Sequence, residues 1–400
     1  MSQEFQHRDL CAISGIGSTD FSRDSGRTPI TLATQAALAA IADAGLTPAE
    51  IDGVVHSDYD LVLSSHIAHS IGILNINFWG ATGLGGAAPC GMIGLAVGAV
   101  VAGLAKNVLV FRALNGHSGL RYGRGTAVQR SAGAHFVGGN GSFDEFFLPY
   151  GMLAPGQMWA MIARRHMAEF GTTSDDLASI ALVARERANA NPAAQMTDRK
   201  MTRDDYFSSR MISDPLRLFD YCQETDGACA VVVTSVERAN DGPQPAAYIR
   251  ATAQGSGPQS QAGSYFSALM REVLTVQPSA WTAQTLYQRA GLGPSDIDVA
   301  QFYDCFTPTV LLQLEDYGFC EKGDGGRFAS SGALDLDGSL PINTAGGNLS
   351  EGYIHGMNHI LEGVRQIRGT STSQVAGAQT CLVTSGIPIT TSAIILRAAS

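Results

Sequence analysis

The apolar positions of this chain fall into alternating helix-length and strand-length blocks. Residues 29–43 carry apolar side chains at Ala36, Leu38 and Ile41. Thr28 is a candidate cap, Pro29 a first-turn proline and Gly45 a stop, and together they predict an amphipathic helix. Ser279, as cap, and Gly291, as stop, bracket a second block of the same kind. Both blocks end in one motif: residues 44–52 read AGLTPAEID, and residues 290–298 read AGLGPSDID. Each motif leads into a short apolar run, 53–56 in one case and 299–302 in the other, of the length and type of a buried strand. A second correspondence lies further along. Gly85-Gly86 precedes a small-residue helix at 91–104, and Gly346-Gly347 precedes GMNHILEGVRQIRG at 356–369. Strand candidates follow each, 107–113 in the first case and 381–384 or 392–397 in the second. The pattern predicts two similar α/β halves, 1–240 and 241–400, the first lengthened by an insertion at 115–210. The insertion is rich in Gly, Met and aromatic residues (Phe143, Phe146, Phe147, Met152, Met158), and helical periodicity runs through 158–191. Insertions this long usually carry function or a contact surface.

Composition narrows the class. Of 400 residues 45% are hydrophobic and 16% charged, so a large core can form and wholesale disorder is excluded. The net charge of −10 and the lack of any Lys/Arg-rich run argue against a nucleic-acid binder. The seven cysteines are scattered, with no CxxC pair or His/Cys cluster at metal-ligand spacing, which supports neither a disulfide framework nor a structural metal site. The polar opening MSQEFQHRDL has no apolar core for a signal peptide. The longest apolar run, 90–105, is glycine-interrupted and shorter than the ~20 residues a spanning helix needs. A soluble cytoplasmic protein, with no membrane contact, is the expectation.

Three further segments give a resemblance. TDGACAVVV at 225–233, YDCFT at 303–307 and NTAGGNLSEGYIHG at 343–356, on a duplicated chain, together resemble the thiolase superfamily, and most closely the sterol-carrier-protein-x type. The resemblance covers essentially the whole chain and implies a five-layered αβαβα sandwich of two duplicated halves, forming a homodimer through a first-half edge strand. The thiolase catalytic groups do not carry over. The position of the nucleophilic cysteine falls on about Gly86, and Cys90 lies a helical turn later. Tyr303 stands where the family has His or Asn before Asp-Cys-Phe, and Tyr353 stands at the histidine of its Gly-His-Pro motif. Near the C-terminal end Thr384-Ser385-Gly386 occupies the place of the second cysteine. Without a thiolate no acyl-enzyme can form.

This coordinated loss is similar to the thiolase-like aldolases of bacterial steroid side-chain degradation. The resemblance therefore implies retro-aldol cleavage of a β-hydroxyacyl-CoA thioester, with Tyr303 and Tyr353 as catalytic groups. It implies no cofactor bound by this chain, and a partner of the zinc-ribbon/OB-fold DUF35 type, often part of a hydratase, with zinc only in that partner. Tyr303 is assigned as the base because it sits beside Asp304, though the two tyrosine roles are exchangeable. The bland reading of both is that of buried aromatics whose hydroxyls find partners. Asp304, His355 and Gly347 are possible supporting residues, with a structural hydrogen-bonding role the favoured reading of Asp304. His355 and His359 have the i, i+4 spacing of a metal pair, but no third ligand is evident, and capping or packing is the favoured reading, with His355 still able to reach the active site. Arg121, Arg124, Arg130, Arg164 and Arg165 are candidates for the CoA nucleotide, or a solvated face. Two other functions compete: a thiolase of altered mechanism using Cys90, and a noncatalytic acyl-CoA or lipid carrier.

Overall fold

The computed structural model describes residues 7–83, 85–119, 146–258, 266–386 and 388–399. The chain opens with β1 (Cys11–Ser18), α1 (Pro29–Asp43), β2 (Gly53–Ser57), α2 (Ser64–Ile71), β3 (Phe78–Thr82), α3 (Ala88–Val101) and β4 (Asn107–Asn115). Then come α4 (Pro155–Phe170), α5 (Ser174–Ala190), α6 (Arg203–Ser208) and a small hairpin of β5 (Met211–Ser213) and β6 (Leu216–Arg217). β7 (Asp226–Ser235) and α7 (Val236–Asn240) precede a second series. That series runs β8 (Ala247–Gly255), α8 (Ser279–Ala290), β9 (Val299–Gln301), α9 (Thr307–Asp316), α10 (Gly325–Ser330), α11 (Gly347–Ser350), α12 (Met357–Arg368), β10 (Thr380–Ser385) and β11 (Thr391–Arg397).

Among the described residues the large sheet has the order β3-β2-β4-β7-β1-β8-β11-β10-β9. The order is a palindrome about the β1–β8 seam. Outward from the seam, β1, β7, β4 and β2 pair antiparallel, antiparallel, then parallel, and β8, β11, β10 and β9 repeat that sequence. The seam itself is short, Ala12 opposite Tyr248 and Ile13 opposite Ala247. β3 is the one strand without a counterpart, and it extends the first half to an open edge.

Local chemistry explains the repeat. The Thr28 hydroxyl accepts from Thr31 N at the start of α1, and Gly45 (φ +70°) and Gly291 (φ +67°) turn the chain out of α1 and α8. A one-turn 3₁₀ segment follows each helix, closed by Glu50 accepting from Thr47 N at 2.9 Å and by Asp296 accepting from Gly293 N at 2.7 Å. α1 lies close on β1 because Gly15 and Gly17 present only backbone to it; a Cβ on Gly15 would sit 2.1 Å from Ala40 O. The expected cap of α8 differs. Pro278 occupies the cap position, and the Ser279 hydroxyl donates to Asp316 Oδ2 at 2.6 Å. The helical stretch expected over 158–191 is two helices, α4 and α5, separated where Gly171 (φ +76°) terminates the first.

Layers follow from burial. α1 covers one face of the first-half strands with Leu32, Ala36, Ala40 and Ile41. α3 and α12 form the middle layer, and Cys90, Met92, Ile93, Ile360 and Val364 share one core with β1, β7, β10 and β11. α3 is apolar on nearly every side, as a helix packed from both directions must be. α8, α9, α4 and α5 cover the far face of the second-half strands. This is the five-layered αβαβα arrangement. Among the described residues no helix is long and apolar enough to cross a membrane.

Candidate active site

The N-terminus of α3 points at the seam between the two halves. Its leading N–H groups are satisfied by the opposite half: Cys90 N donates to Ser385 Oγ at 3.0 Å, and Gly91 N to Ser392 Oγ at 2.9 Å. In front of it lies a cavity of about 1110 Å³, whose lining includes Gly85, Gly86, Tyr303, Tyr353 and His355. Trp159, Phe306 and Ile389 give it apolar wall; the exposed cations Arg23, Arg199 and Lys200 also line it.

Tyr303 leaves the end of β9 with its backbone held on every side. Asn343 pairs with Phe302 as a strand would, accepting from its N–H at 2.7 Å and donating to its carbonyl at 3.0 Å. Tyr303 N donates to Thr384 Oγ1 at 2.9 Å, and its carbonyl accepts from Gln313 Nε2 at 2.8 Å and Thr309 Oγ1 at 2.9 Å. The ring is 4% exposed, and its hydroxyl takes the space above Gly86: a Cβ on Gly86 would lie 1.9 Å from it. Tyr353, between α11 and α12, is anchored by its N–H to Thr225 Oγ1 at 2.8 Å. The two phenol oxygens are 2.8 Å apart. Burial, reinforced by Tyr303, pushes the Tyr353 hydroxyl well above the usual phenol value, so it is a neutral donor at physiological pH.

Asp304 is a structural hydrogen-bonding group. Its carboxylate accepts from Asn348 N at 2.8 Å, Leu349 N at 3.3 Å and His359 Nε2 at 2.9 Å. It fixes the start of α11 rather than assisting Tyr303. Gly347 is required for that approach, since a Cβ there would meet Asp304 Oδ2 at 2.2 Å. His355 and His359 do not converge as a metal pair would. His359 turns to Asp304, whereas His355, one residue before Gly356 and outside α12, takes a left-handed conformation (φ +52°) and faces Arg112. Arg112 Nη2 lies 2.5 Å from His355 Nδ1, and Arg112 Nη1 lies 2.7 Å from Asp60 Oδ1. All three side chains are buried, and burial followed by the Arg112 charge holds His355 well below its usual value. The His355 and Tyr353 rings meet edge to face at 4.9 Å. Arg112 and Asp60 were not candidates from the sequence, although a lone arginine inside the apolar strand NVLVFRALN signals a charge that needs a buried partner.

Cys90 lies in the middle layer and does not line the cavity. Its thiol donates to Val383 O at 3.4 Å, and burial pushes it up to about 12. Among the described residues no group of three or more His, Cys, Asp or Glu side chains converges on a metal position. Arg164 and Arg165 lie on the outer side of α4, paired with Asp214 and Glu169, away from the cavity lining. Arg121, Arg124, Arg130 and Phe143 lie outside the described residues.

Fold and site together define a thiolase-fold enzyme whose cavity holds a hydrogen-bonded tyrosine pair over Gly86. Comparison with known proteins agrees. The family described as "Thiolase C-terminal domain-like" matches residues 260–397. The chain is 45% identical over 388 residues to the "Steroid side-chain-cleaving aldolase" of Thermomonospora curvata, covering 97% of each chain. It is 43% identical to the "17-hydroxy-3-oxo-4-pregnene-20-carboxyl-CoA lyase" of Mycobacterium tuberculosis, covering 96% of this chain and 98% of that one. A solved structure, "Ltp2-ChsH2(DUF35) aldolase", superposes with a TM-score of 0.90 at 44% identity over 98% of both chains. The chain belongs to the thiolase superfamily, in its branch of steroid side-chain-cleaving aldolases.

Proposed function

We propose that the protein cleaves the side chain of a β-hydroxyacyl-CoA thioester of a steroid by a retro-aldol reaction. A 17-hydroxy-3-oxo-pregnene-20-carboxyl-CoA, giving a 17-ketosteroid and propionyl-CoA, is the substrate type, as in the M. tuberculosis relative's name. The observation that carries the reading is the Tyr303 hydroxyl above Gly86, hydrogen-bonded to the Tyr353 hydroxyl. In the reaction a base removes the β-hydroxyl proton, the Cα–Cβ bond breaks as the carbonyl forms, and the thioester enolate is then protonated at Cα. Tyr303 is the base. As a phenolate it is stabilised by the Tyr353 hydroxyl and by the positive end of α3. Neutral Tyr353 gives its proton to Cα and takes back the one held by Tyr303 across their 2.8 Å hydrogen bond, which restores the Tyr303 phenolate. A Cys90 thiolase has no support from the geometry, since that thiol neither reaches the cavity nor ionises near neutrality.

The cations Arg23, Arg199 and Lys200, which line the cavity, are proposed to meet CoA phosphates. A homodimer is proposed through β3, whose open edge exposes Trp79 (70%) beside Phe78. A DUF35-type partner is proposed on the strength of the solved relative.

The test is mass spectrometry of products from a panel of β-hydroxyacyl-CoA thioesters, with a DUF35-type partner co-expressed. The 17-hydroxy steroid with a three-carbon CoA side chain should yield the 17-ketone and propionyl-CoA without added CoA. Tyr303→Phe and Tyr353→Phe should each lose about 10²–10⁴-fold in rate while remaining folded. Variants that cleave within a few-fold of wild type would refute the assignment.

A further inference from the structure

Two proton transfers occupy the two tyrosines, and the charge that develops on the thioester oxygen when the Cα–Cβ bond breaks needs a donor of its own. Three polar groups in the cavity wall gather around the Gly85–Gly86 turn. Tyr303 lies over Gly86, Tyr353 bonds to Tyr303, and His355 lies over Gly85, with Cε1 3.5 Å from where a Cβ on Gly85 would be. A guanidinium can only donate. Nδ1 of His355, at 2.5 Å from Arg112 Nη2, must therefore be the acceptor, which leaves the ring hydrogen on Nε2. Arg112 is itself fixed by Asp60, whose Oδ2 accepts from Ser57 N at 3.0 Å and whose Oδ1 lies against Ala113 N at 3.3 Å. The imidazole is thus locked in one tautomer by a buried ion pair behind it, in a left-handed backbone conformation of the kind that concentrates at functional sites.

We propose that His355 is a third catalytic residue, a neutral imidazole whose Nε2–H donates to the thioester oxygen and carries the enolate charge, with Arg112 and Asp60 as positioning residues that set its tautomer. The inference rests on the aldolase reading above and divides the labour within it. The direction of the His355 shift agrees, since the ring stays uncharged beside the guanidinium. A neutral imidazole serves as an electrophile toward a developing enolate in other enzymes. The proton balance is unchanged: the hydrogen on Nε2 is shared with the oxygen and not transferred.

Enolate formation can be isolated from carbonyl formation by following α-hydrogen exchange of propionyl-CoA in deuterium oxide, read by mass spectrometry beside the cleavage assay. His355→Leu should lose about 10²–10³-fold in both exchange and cleavage while binding propionyl-CoA within a few-fold of wild type. His355→Gln, which restores an N–H donor near the Nε2 position, should recover about tenfold or more over Leu in both. Tyr303→Phe should lose cleavage. If wild type is active in both assays and His355→Leu exchanges as fast, or if the Gln variant is no better than Leu, the inference fails alone. A wild-type enzyme that neither cleaves nor exchanges fails the aldolase reading, and this inference with it.

Discussion

Cys90 lies four residues past Gly86, yet the two positions have opposite environments. Gly86 opens onto the cavity, whereas Cys90 is fully buried against β10 with its thiol on a backbone carbonyl. Burial raises every one of the seven thiols, Cys11 and Cys320 also to about 12, so thiolate is scarce at pH 7–8. Iodoacetamide at neutral pH should therefore leave turnover largely intact. Cys90→Ala should cost at most about 1–2 kcal/mol of stability, read by thermal unfolding, and retain most activity. Loss of all turnover in a folded Cys90→Ala protein would reverse the assignment. At this scale the tyrosine pair was legible only through resemblance, because no spacing rule brings residues 303 and 353 together. Adjacency in the chain says nothing about which way the Asp304 carboxylate turns; the N–H groups of α11 claim it, which is the structural role weighed for it from the sequence.

The elbow between α11 and α12 is the element that holds Tyr353, and a second buried carboxylate sits in it. Glu351 accepts from Asn358 Nδ2 at 2.9 Å, and burial outweighs the nearby Arg365 charge, so that its carboxyl is raised to about 8 from the ordinary 4.5. A carboxyl raised on folding binds its proton more tightly in the native state. Its contribution to stability is present in full below about pH 4.5 and is lost as pH rises toward and through 8. Glu351→Gln should flatten that component. The melting temperature of the variant relative to wild type should rise between pH 5 and 8, and an unchanged difference would mean that Glu351 is not protonated in the folded state. Among the elements, both copies of the helix–motif–strand unit were legible because capping, glycine stops and apolar periodicity agreed. The start of α8 was not: Ser279 has the right chemistry for a cap, but its hydroxyl is engaged by Asp316 from α9, a tertiary partner that local pattern cannot register.

For the molecule as a whole, the palindromic strand order expresses the duplication already visible in AGLTPAEID and AGLGPSDID. The exception to the symmetry is informative. β3 adds a strand to one half alone and leaves an edge with an exposed tryptophan, the type of edge that a second copy pairs with or that invites aggregation. Trp79→Asp should convert the proposed homodimer to monomer in light scattering after gel filtration; a dimer of undiminished affinity would place the interface elsewhere. The buried Asp60–Arg112–His355 chain was not legible at this scale. It joins β4 and the turn after β2 to the segment before α12, and only the closed fold brings those three segments together.

The overlap of the Tyr303 hydroxyl with the missing Cβ of Gly86 has an evolutionary corollary. A cysteine at 86 and a tyrosine at 303 claim one volume, and they come from opposite halves of the duplicated chain. A thiolase ancestor acquiring the tyrosine while keeping its cysteine would have crowded its own nucleophile, and the reverse single step from this chain would displace the tyrosine. The two chemistries are therefore separated by a fitness valley at least two substitutions wide. Ancestral intermediates should carry glycine at 86 before tyrosine at 303, and the loss of thiolase activity should precede the gain of the aldolase.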